Sequence, residues 1–432
     1  SKDGTGAGAV PWKDFPPAPT EQLEQAMNIT KRLALCVCLA AVTRAAESDA
    51  LRLNDNIVAR HLPFGAILDP FVDQSGGVTG YTRCGDSALW TGHYLAAQAF
   101  RYQVTRTPEA MDQVRAALRG LRSLVDVTGS DRLARCLVPA DSPFAAGILS
   151  EEAHHGSYPG RWDGADYHWV GNTSRDQFSG VFFGLAAAWE FVDDAGVRTE
   201  AASLASRLLD RLISDGWAVI MPDGRVSTVF WHRPDQQLAF LQTGQRMDPG
   251  RYGDVYRLHR LWKASVAYLP IAIEAADPHN SCFKFNLNAI NLWQLLRGGE
   301  DGFYRWRYEL AYGFWRRGVA AHGNAHFNMI DRAVRGPDAD RDAETRALLE
   351  AWLRRPLVDQ WVDWRGVYPS CVEEDRACEP LPVQDRVRTD FLWQRSPFLL
   401  YGGGSGTIES PGIDYILPYW MARYYGVLGP GQ

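Results

Sequence analysis

The spacing of apolar positions along the chain predicts a mainly helical protein. After residue 85, most of the sequence carries apolar residues at helical intervals, in segments separated by short polar turns. The predicted helices, in consecutive pairs, are 86–104 and 108–126, 176–192 and 196–214, 254–276 and 284–297, 303–320 and 325–335, and 340–354 and 412–425. An earlier helix within residues 20–60 would complete about six pairs.

The two helices of a pair often differ in character. "SALWTGHYLAAQAF" and "FSGVFFGLAAAWEF" are apolar on nearly all sides and carry Gly and Ala, which allow helices to approach closely. Their partners, such as "AMDQVRAALRGLRSLV", have one charged face. Because a helix that is apolar all round is buried and an amphipathic one borders solvent, each pair combines an inner and an outer helix.

Internal repetition supports the pairing. Asp86 is followed nine residues later by the triplet LAA at 95–97, and Asp176 by LAA at 185–187. Each motif opens an apolar helix that an amphipathic helix follows. The repeat predicts an all-α fold, an (α/α)6-type toroid of inner and outer helices, or a solenoid in the alternative.

Two segments interrupt the helical pattern. Residues 218–231 predict a small β-hairpin, and residues 356–411, rich in Pro and Gly, predict an irregular excursion between the last two helices. We therefore expect a single toroid domain with long loops at its mouth over residues 47–432, preceded by an extension over residues 1–46.

The extension contains a pattern typical of a bacterial secretory signal peptide. Lys31 and Arg32 precede an apolar run at 33–42, and small residues follow. This pattern predicts a secreted or periplasmic protein. The alternative is an ordinary buried helix that begins at Thr20.

Cysteine spacing is compatible with export. Cys371 and Cys378 are close enough in sequence to close a small loop, Cys84 and Cys136 could pair across two loops, and Cys282 would remain free. The sequence contains no cysteine pattern typical of a zinc site.

Composition narrows the function classes. The net charge is −6 and the sequence has no basic stripe, which argues against nucleic-acid binding. The sequence also has no run of about 20 apolar residues, so no membrane span is predicted. The 16 Trp, 17 Tyr and 18 Phe suit a large core, and aromatic rings also stack on sugars.

Asp86 and Asp176 are the first catalytic candidates. Each stands where a polar loop becomes an inner helix, so a toroid would place both at one mouth. Glycoside hydrolysis uses two carboxyl groups about 5–10 Å apart. The alternative is that Asp86, Ser174 and Asp176 simply cap helices.

Residues 151–175 are the richest polar and aromatic stretch, and we predict a functional loop there. Tyr167, His168, Asn172 and Arg175 are the residue types that a uronate lyase uses to neutralise a carboxylate and move a proton. The alternative is a surface loop held by its own hydrogen bonds. His154 and His155 with Asp163 or Asp166 are an alternative metal site, but their spacing matches no strong metal motif, so neither a metal nor a cofactor is predicted.

The remaining candidates are expected to contact substrate. They are Trp162, Trp169, Asn172 and Arg175 in the same loop, His322 and Asn324 in "AHGNAHFNMIDR", and Trp393 and Arg395 beside a Gly-rich turn.

"GDSALWTGHYLAAQAFRY", "TSRDQFSGVFFGLAAAWEFV" and "PGIDYILPYWMARYYG" resemble a group of secreted bacterial proteins, over roughly residues 75–426. The helix pattern is similar to that of (α/α)6-toroid carbohydrate-active enzymes, the glycoside hydrolases and polysaccharide lyases. The resemblance implies a glycan substrate, and a shared fold does not by itself fix a function.

We expect a secreted enzyme that hydrolyses a glycosidic bond of an oligo- or polysaccharide. Asp176 and Asp86 would be the acid/base pair, and Arg175, His168 and Trp169 would position the sugar. The alternatives are β-elimination by a uronate lyase and a non-catalytic glycan-binding protein. An isoprenoid-handling toroid is less favoured because the mouth loops are polar.

Overall fold

The computed structural model describes residues 45–299, 302–372, 374–388 and 390–432. The signal-like segment and its two cysteines therefore lie outside the described residues. Within them, helices dominate, and the β-structure is confined to short pieces. The prediction of a mainly helical fold is confirmed.

Fourteen α-helices are present in the described part of the chain. They are α1 Glu47–Asn56, α2 Ser87–Thr105, α3 Pro108–Asp126, α4 Ala145–Glu151, α5 Arg175–Phe191, α6 Ala195–Ser214, α7 Pro234–Met247, α8 Pro249–Lys263, α9 Tyr268–Glu274, α10 Cys282–Arg297, α11 Gly302–Val319, α12 Ala325–Arg335, α13 Ala339–Trp352 and α14 Ile413–Tyr424. Most of the boundaries agree with the periodicity of the sequence to within two residues.

Helix starts follow ordinary capping chemistry on the outer helices. Thr107 accepts a hydrogen bond from the N–H of Ala110 at 3.2 Å, and Pro108 occupies the first turn of α3. Asp194 caps α6 in the same way through Val197 at 2.9 Å. A side-chain acceptor at this position satisfies an N–H that the helix itself leaves unpaired.

Six helices contact one another in cyclic order. Helix α2 packs on α5, α5 on α7, α7 on α10, α10 on α12, α12 on α14, and α14 on α2. The helices α3, α6, α8, α11, α13 and α1 flank these six in the same order. The residues of α2, α5 and α10 are almost all buried, whereas α3 and α6 bury one face.

Helices α2 and α5 make the closest of these approaches through glycine. A Cβ built on Gly92 would lie 2.0 Å from the carbonyl oxygen of Gly180, and one on Gly184 would lie 2.4 Å from the carbonyl oxygen of Gly92. No side chain fits at these positions, so the two backbones touch directly. The prediction that small residues mark close helix contacts is confirmed here.

Two helices have no counterpart among those predicted from the sequence, the short α4 and the longer α7. Helix α7 (Pro234–Met247) is rich in glutamine, and its buried face includes Gln236, Gln237 and Gln242, so its apolar periodicity is weak. The predicted helix 254–276 is wrong in its bounds, because α8 begins at Pro249 and a break separates it from α9. Because α7 was not predicted, the helices that follow it were assigned to the wrong inner or outer position.

Four short antiparallel sheets complete the described structure. They are β1 Asp69–Val72 with β2 Val78–Thr82, β3 Leu137–Pro139 with β5 Ala165–Val170 and β4 Ser157–Trp162, β6 Ala218–Ile220 with β7 Val226–Val229, and β8 Val362–Asp363 with β9 Tyr401–Gly402. The pair β6–β7 confirms the hairpin predicted within 218–231.

The loop predicted over 151–175 is largely a β-hairpin, which corrects that prediction. Strands β4 and β5 meet at Asp163 and Gly164, whose φ angles are 51° and 84°. Asp-Gly is the preferred pair for a two-residue turn with both residues in the left-handed region. The hairpin signal was therefore present in the sequence.

The cysteine predictions are confirmed among the described residues. Disulfides join Cys84 to Cys136 and Cys371 to Cys378, and Cys282 is free and buried. In the described part of the chain, no helix is both long enough and apolar enough to cross a bilayer.

We predict that Gly92→Ala destabilises the protein by about 3 kcal/mol or more, because the new methyl group collides with the backbone of α5. Gly253→Ala in α8 is the matched control, since a Cβ there meets no atom within 4 Å. It should be neutral or stabilise by about 0.5–1 kcal/mol. Urea denaturation measures both, and equal effects would refute the close contact.

Candidate active site

A cleft of about 450 Å3 lies at the N-terminal end of α2 and α10. Its lining combines carboxylates, guanidinium groups and aromatic rings. The residues are Asp69, Arg83, Gly85, Asp86, Trp90, Arg135, Glu152, His155, Ser281, Phe283, Asp390, Phe391, Gln394 and Arg395. A hollow of about 520 Å3 lies elsewhere, mainly against the single helix α6.

A short 310 turn, Cys84–Asp86, brings Asp86 into the cleft. The turn is fixed at one end by the disulfide to Cys136 and at its centre by Gly85, whose N–H donates to Glu152 at 2.8 Å. Arg83, which precedes the turn, has a φ of 59°. The position of Asp86 is therefore set by covalent and backbone constraints.

The Asp86 carboxylate does not cap its helix. It accepts a hydrogen bond from Nε2 of Gln177 at 3.2 Å, and Nη1 of Arg135 lies 4.0 Å away. Burial raises the pKa of Asp86, and Arg135 and Gln177 oppose the rise. The side chain remains 36% exposed, so the carboxylate is crowded by protein and still reached from the cleft.

Asp176 lies in the first turn of α5, beside Gln177. No described residue forms a hydrogen bond or an ion pair with its carboxylate, and Ser174 makes no side-chain capping bond either. Burial raises the pKa of Asp176, and the charge of Asp86 raises it further. The two predicted catalytic carboxylates are therefore electrostatic neighbours, although Asp176 is not among the residues that line the cleft.

Arginine–carboxylate pairs form one wall of the cleft. Arg83 contacts Asp69 at 2.8 Å and Asp390 at 3.3 Å, and Arg395 contacts Asp390 at 2.6 Å. These contacts join β1, the turn before α2 and the segment before α14. Arg395 is the one predicted substrate-binding residue that the cleft includes.

Arg135 stabilises the Cys84–Asp86 turn through hydrogen bonds to backbone carbonyl groups. Its guanidinium donates to the carbonyl oxygens of Gly85 at 2.6 Å and Asn172 at 2.9 Å. Burial lowers the pKa of Arg135, and the charges of Asp86 and Asp176 oppose that change. The group thus links the N-terminal ends of α2 and α5.

Segment 391–395 ties three inner helices together at this end. The N–H of Leu392 donates to Asp414 of α14 at 2.8 Å, and its carbonyl oxygen accepts a hydrogen bond from Asn324 at the start of α12 at 3.5 Å. The carbonyl oxygen of Gln394 accepts hydrogen bonds from Ser281 and Phe283 at the start of α10. The predicted irregular excursion therefore builds part of the cleft.

Aromatic rings form the floor. Trp90 packs edge-on against Phe391 at 4.8 Å and Phe283 at 6.2 Å between ring centroids. Trp90 and Phe391 are buried, and Phe283 is the partly exposed ring of the three. An exposed aromatic ring is apolar and can stack on a sugar ring.

Four predicted substrate contacts are corrected by the structure. Trp169, Trp393 and His322 are at most 1% exposed, and the two tryptophans belong to the core. Asn324 accepts hydrogen bonds from the N–H groups of His326 and Phe327 and so caps α12. As placed, none of these side chains can reach a glycan.

The other candidates of residues 151–175 do not line the cleft. Nη1 of Arg175 donates to Thr228 and Val229 at 3.1 Å, and Asn172 adopts a left-handed φ of 50°. Tyr167, His168 and Trp162 lie on the β4–β5 hairpin, where Arg119 and Arg122 cover the Trp162 ring. Their roles in a reaction remain predictions.

Several cleft residues were not among the candidates from the sequence. They are Asp69, Arg83, Arg135, Glu152 and Asp390. The disulfide between Cys84 and Cys136 was the available signal, because it places residues next to both cysteines beside Asp86.

No protein-family model matches this chain, and no curated protein is significantly similar to it. The chemistry of the site therefore rests on its own residues.

We predict that Asp86→Asn raises the free energy of unfolding at pH 7. The folded-state pKa of Asp86 is raised, so its favourable contribution is complete below the unfolded value of 3.8 and is lost as pH rises through the folded value. The neutral amide avoids that loss, and the two proteins should converge below pH 4. Thermal unfolding between pH 3 and pH 8 measures the difference.

Asp363→Asn is the control of opposite sign. Hydrogen bonds from Arg365 lower the pKa of the exposed Asp363 to about 2, so its contribution is present at neutral pH and lost on acidification. The amide should weaken the fold slightly at pH 7. If Asp86→Asn behaved likewise, the raised pKa of Asp86 would be wrong.

Proposed function

We propose that this protein is a secreted carbohydrate-active enzyme that hydrolyses a glycosidic bond in the cleft. The observation that carries the proposal is the pair Asp86 and Asp176, two uncapped carboxyl groups with raised pKa values beside an aromatic-floored cleft. Paired carboxyl groups of this kind are what glycoside hydrolysis requires.

We propose an (α/α)6 toroid as the architecture. The support is the cyclic contact order of α2, α5, α7, α10, α12 and α14, each flanked by one outer helix. The shared contacts of segment 391–395 with the N-terminal ends of α10, α12 and α14 further support a common mouth.

The electrostatics suggest separate roles for the two carboxyl groups. Asp86 accepts a hydrogen bond from Gln177 and lies near Arg135, and both contacts favour its ionised form. Asp176 has no such hydrogen bond from a described residue; ionised Asp86 makes its ionisation harder, and Arg175, Arg135 and Arg233 favour it. Because Asp176 has no hydrogen bond that stabilises its ionised form, we assign it as the acid that protonates the leaving oxygen, with Asp86 as base or nucleophile.

The remaining cleft residues would bind the sugar. Phe283, the partly exposed ring of the aromatic floor, offers a stacking surface that Trp90 and Phe391 support, and Arg395 with Gln394 offers donors for hydroxyl groups. Proposed secretion is supported by the two disulfides, which persist in oxidising compartments.

Hydrolysis is favoured over uronate elimination because Asp86, one of its two proposed carboxyl groups, lines the cleft, whereas none of the proposed lyase residues Tyr167, His168, Asn172 and Arg175 does. The two reactions differ in their products. Elimination leaves an unsaturated sugar that absorbs ultraviolet light, whereas hydrolysis yields only new reducing ends.

We predict that Asp86→Asn and Asp176→Asn each lower kcat by about 10²–10⁴-fold on a glycan found in a screen of neutral and acidic polysaccharides. The measurement is the release of reducing ends, and circular dichroism verifies the fold. Loss of Asp176 should also remove the alkaline limb of the pH profile.

Asp163→Asn is the matched control. Asp163 is 67% exposed in a β-turn and contacts only Arg119 among the described residues, so its loss should leave turnover unchanged. Normal turnover by Asp176→Asn would refute the acid assignment, and an ultraviolet-absorbing product would show that the reaction is elimination and not hydrolysis. Glycan binding without turnover by the wild-type protein would show that the protein is a binding protein and not an enzyme.

A further inference from the structure

We propose that Glu152, His154 and His155 form a binding site for a divalent ion of the zinc type at the rim of the cleft. Each residue offers one ligand atom, and these atoms all lie within 4.8 Å of one another. Glu152 and His155 also line the cleft. The inference does not depend on the roles of Asp86 and Asp176.

The local fold brings the three residues together. They occupy the turn that follows α4, where the N–H of Glu152 donates to Ile148 at 3.0 Å and the N–H of His155 donates to Glu152 at 2.8 Å. The ring centroids of His154 and His155 are 3.8 Å apart. Three ligands within four residues need little reorganisation to meet at one ion.

The Glu152 carboxylate is oriented before any ion arrives. One oxygen accepts the N–H of Gly85 at 2.8 Å, and the other lies 2.6 Å from Nδ1 of His155. A carboxylate with a fixed orientation is a ready metal ligand.

The donor set indicates which ion fits. Two imidazoles and one carboxylate are the ligands of many zinc sites that keep one position open for water or substrate. Calcium and magnesium prefer sites made of oxygen ligands. An open position here would face the cleft, within reach of a sugar hydroxyl or a bound water.

The acids weighed as ligands from the sequence are engaged elsewhere. Asp163 contacts Arg119 at 2.5 Å, and Asp166 lies 3.3 Å from Arg161 on the exposed hairpin. Glu152, two residues before His154, takes their place. It is buried, unlike Asp163 and Asp166, and so is held in position.

The test is direct binding of Zn²⁺ to the chelator-treated full-length protein, measured by isothermal titration calorimetry with Mg²⁺ as comparison. We expect one equivalent of Zn²⁺ and no comparable binding of Mg²⁺. Glu152→Gln, which retains an acceptor for Gly85, and His155→Gln should each weaken binding by about 10–100-fold or more. Visible absorption of the Co²⁺-loaded protein should report four-coordination.

His279→Gln is the matched control, because His279 also lies beside a carboxylate, 3.8 Å from Asp277, but has no third ligand among the described residues. Its affinity should equal that of the wild type. His154 is exposed, so His154→Gln tests the site without risk to the core. Absence of Zn²⁺ binding, or wild-type affinity in His154→Gln and His155→Gln, would overturn the proposal whether or not the protein cleaves a glycan.

Discussion

The direct contact between the backbones of α2 and α5 is the constraint on which the candidate site depends. Gly92, Gly180 and Gly184 leave no side chain between the two helices, so their axes lie as close as main-chain atoms allow. The N-terminal ends of the helices are consequently adjacent. Gln177 of α5 can then bridge them, donating to Asp86 and accepting the N–H of Leu89 at 3.1 Å.

This adjacency places two acids where both are costly to ionise. Burying a carboxylate disfavours its charged form, and a second carboxylate nearby adds to that cost. Arg135 offsets part of the cost and also holds the backbone on which Asp86 stands. The same few contacts therefore determine both the shape and the proton affinity of the site.

The sequence predicted the helices well because local periodicity sets them, as α3 and α12 illustrate. It failed at α7, where buried glutamines replace apolar residues and tertiary packing rather than hydrophobicity holds the helix. The β4–β5 hairpin was not predicted, although the turn sequence Asp163-Gly164 indicates one. At α7 the apolar periodicity was weak, whereas at the hairpin the polar and aromatic composition of residues 151–175 indicated a loop.

The site was predicted less completely than the fold, because its walls come from distant parts of the chain. The packing of segment 391–395 brings Asp390 and Arg395 into the same cleft as Asp86. This segment has no periodic pattern in the sequence that would predict its position. Trp169 and Trp393 were wrongly predicted to contact substrate for a related reason. In a chain rich in aromatic residues, most rings fill the core, and residue type alone cannot separate those from rings that meet a ligand.

Trp90 of the cleft contacts a buried pair of histidine rings. Trp90 packs on His93 at 5.1 Å between ring centroids, and His93 lies 6.2 Å from His326. Burial lowers the pKa of His93 to about 4 and lowers the pKa of His326 well below its ordinary value, so both rings are neutral at physiological pH. Neither ring is among the groups that shift the pKa of Asp86 or Asp176, which burial raises and nearby arginines lower.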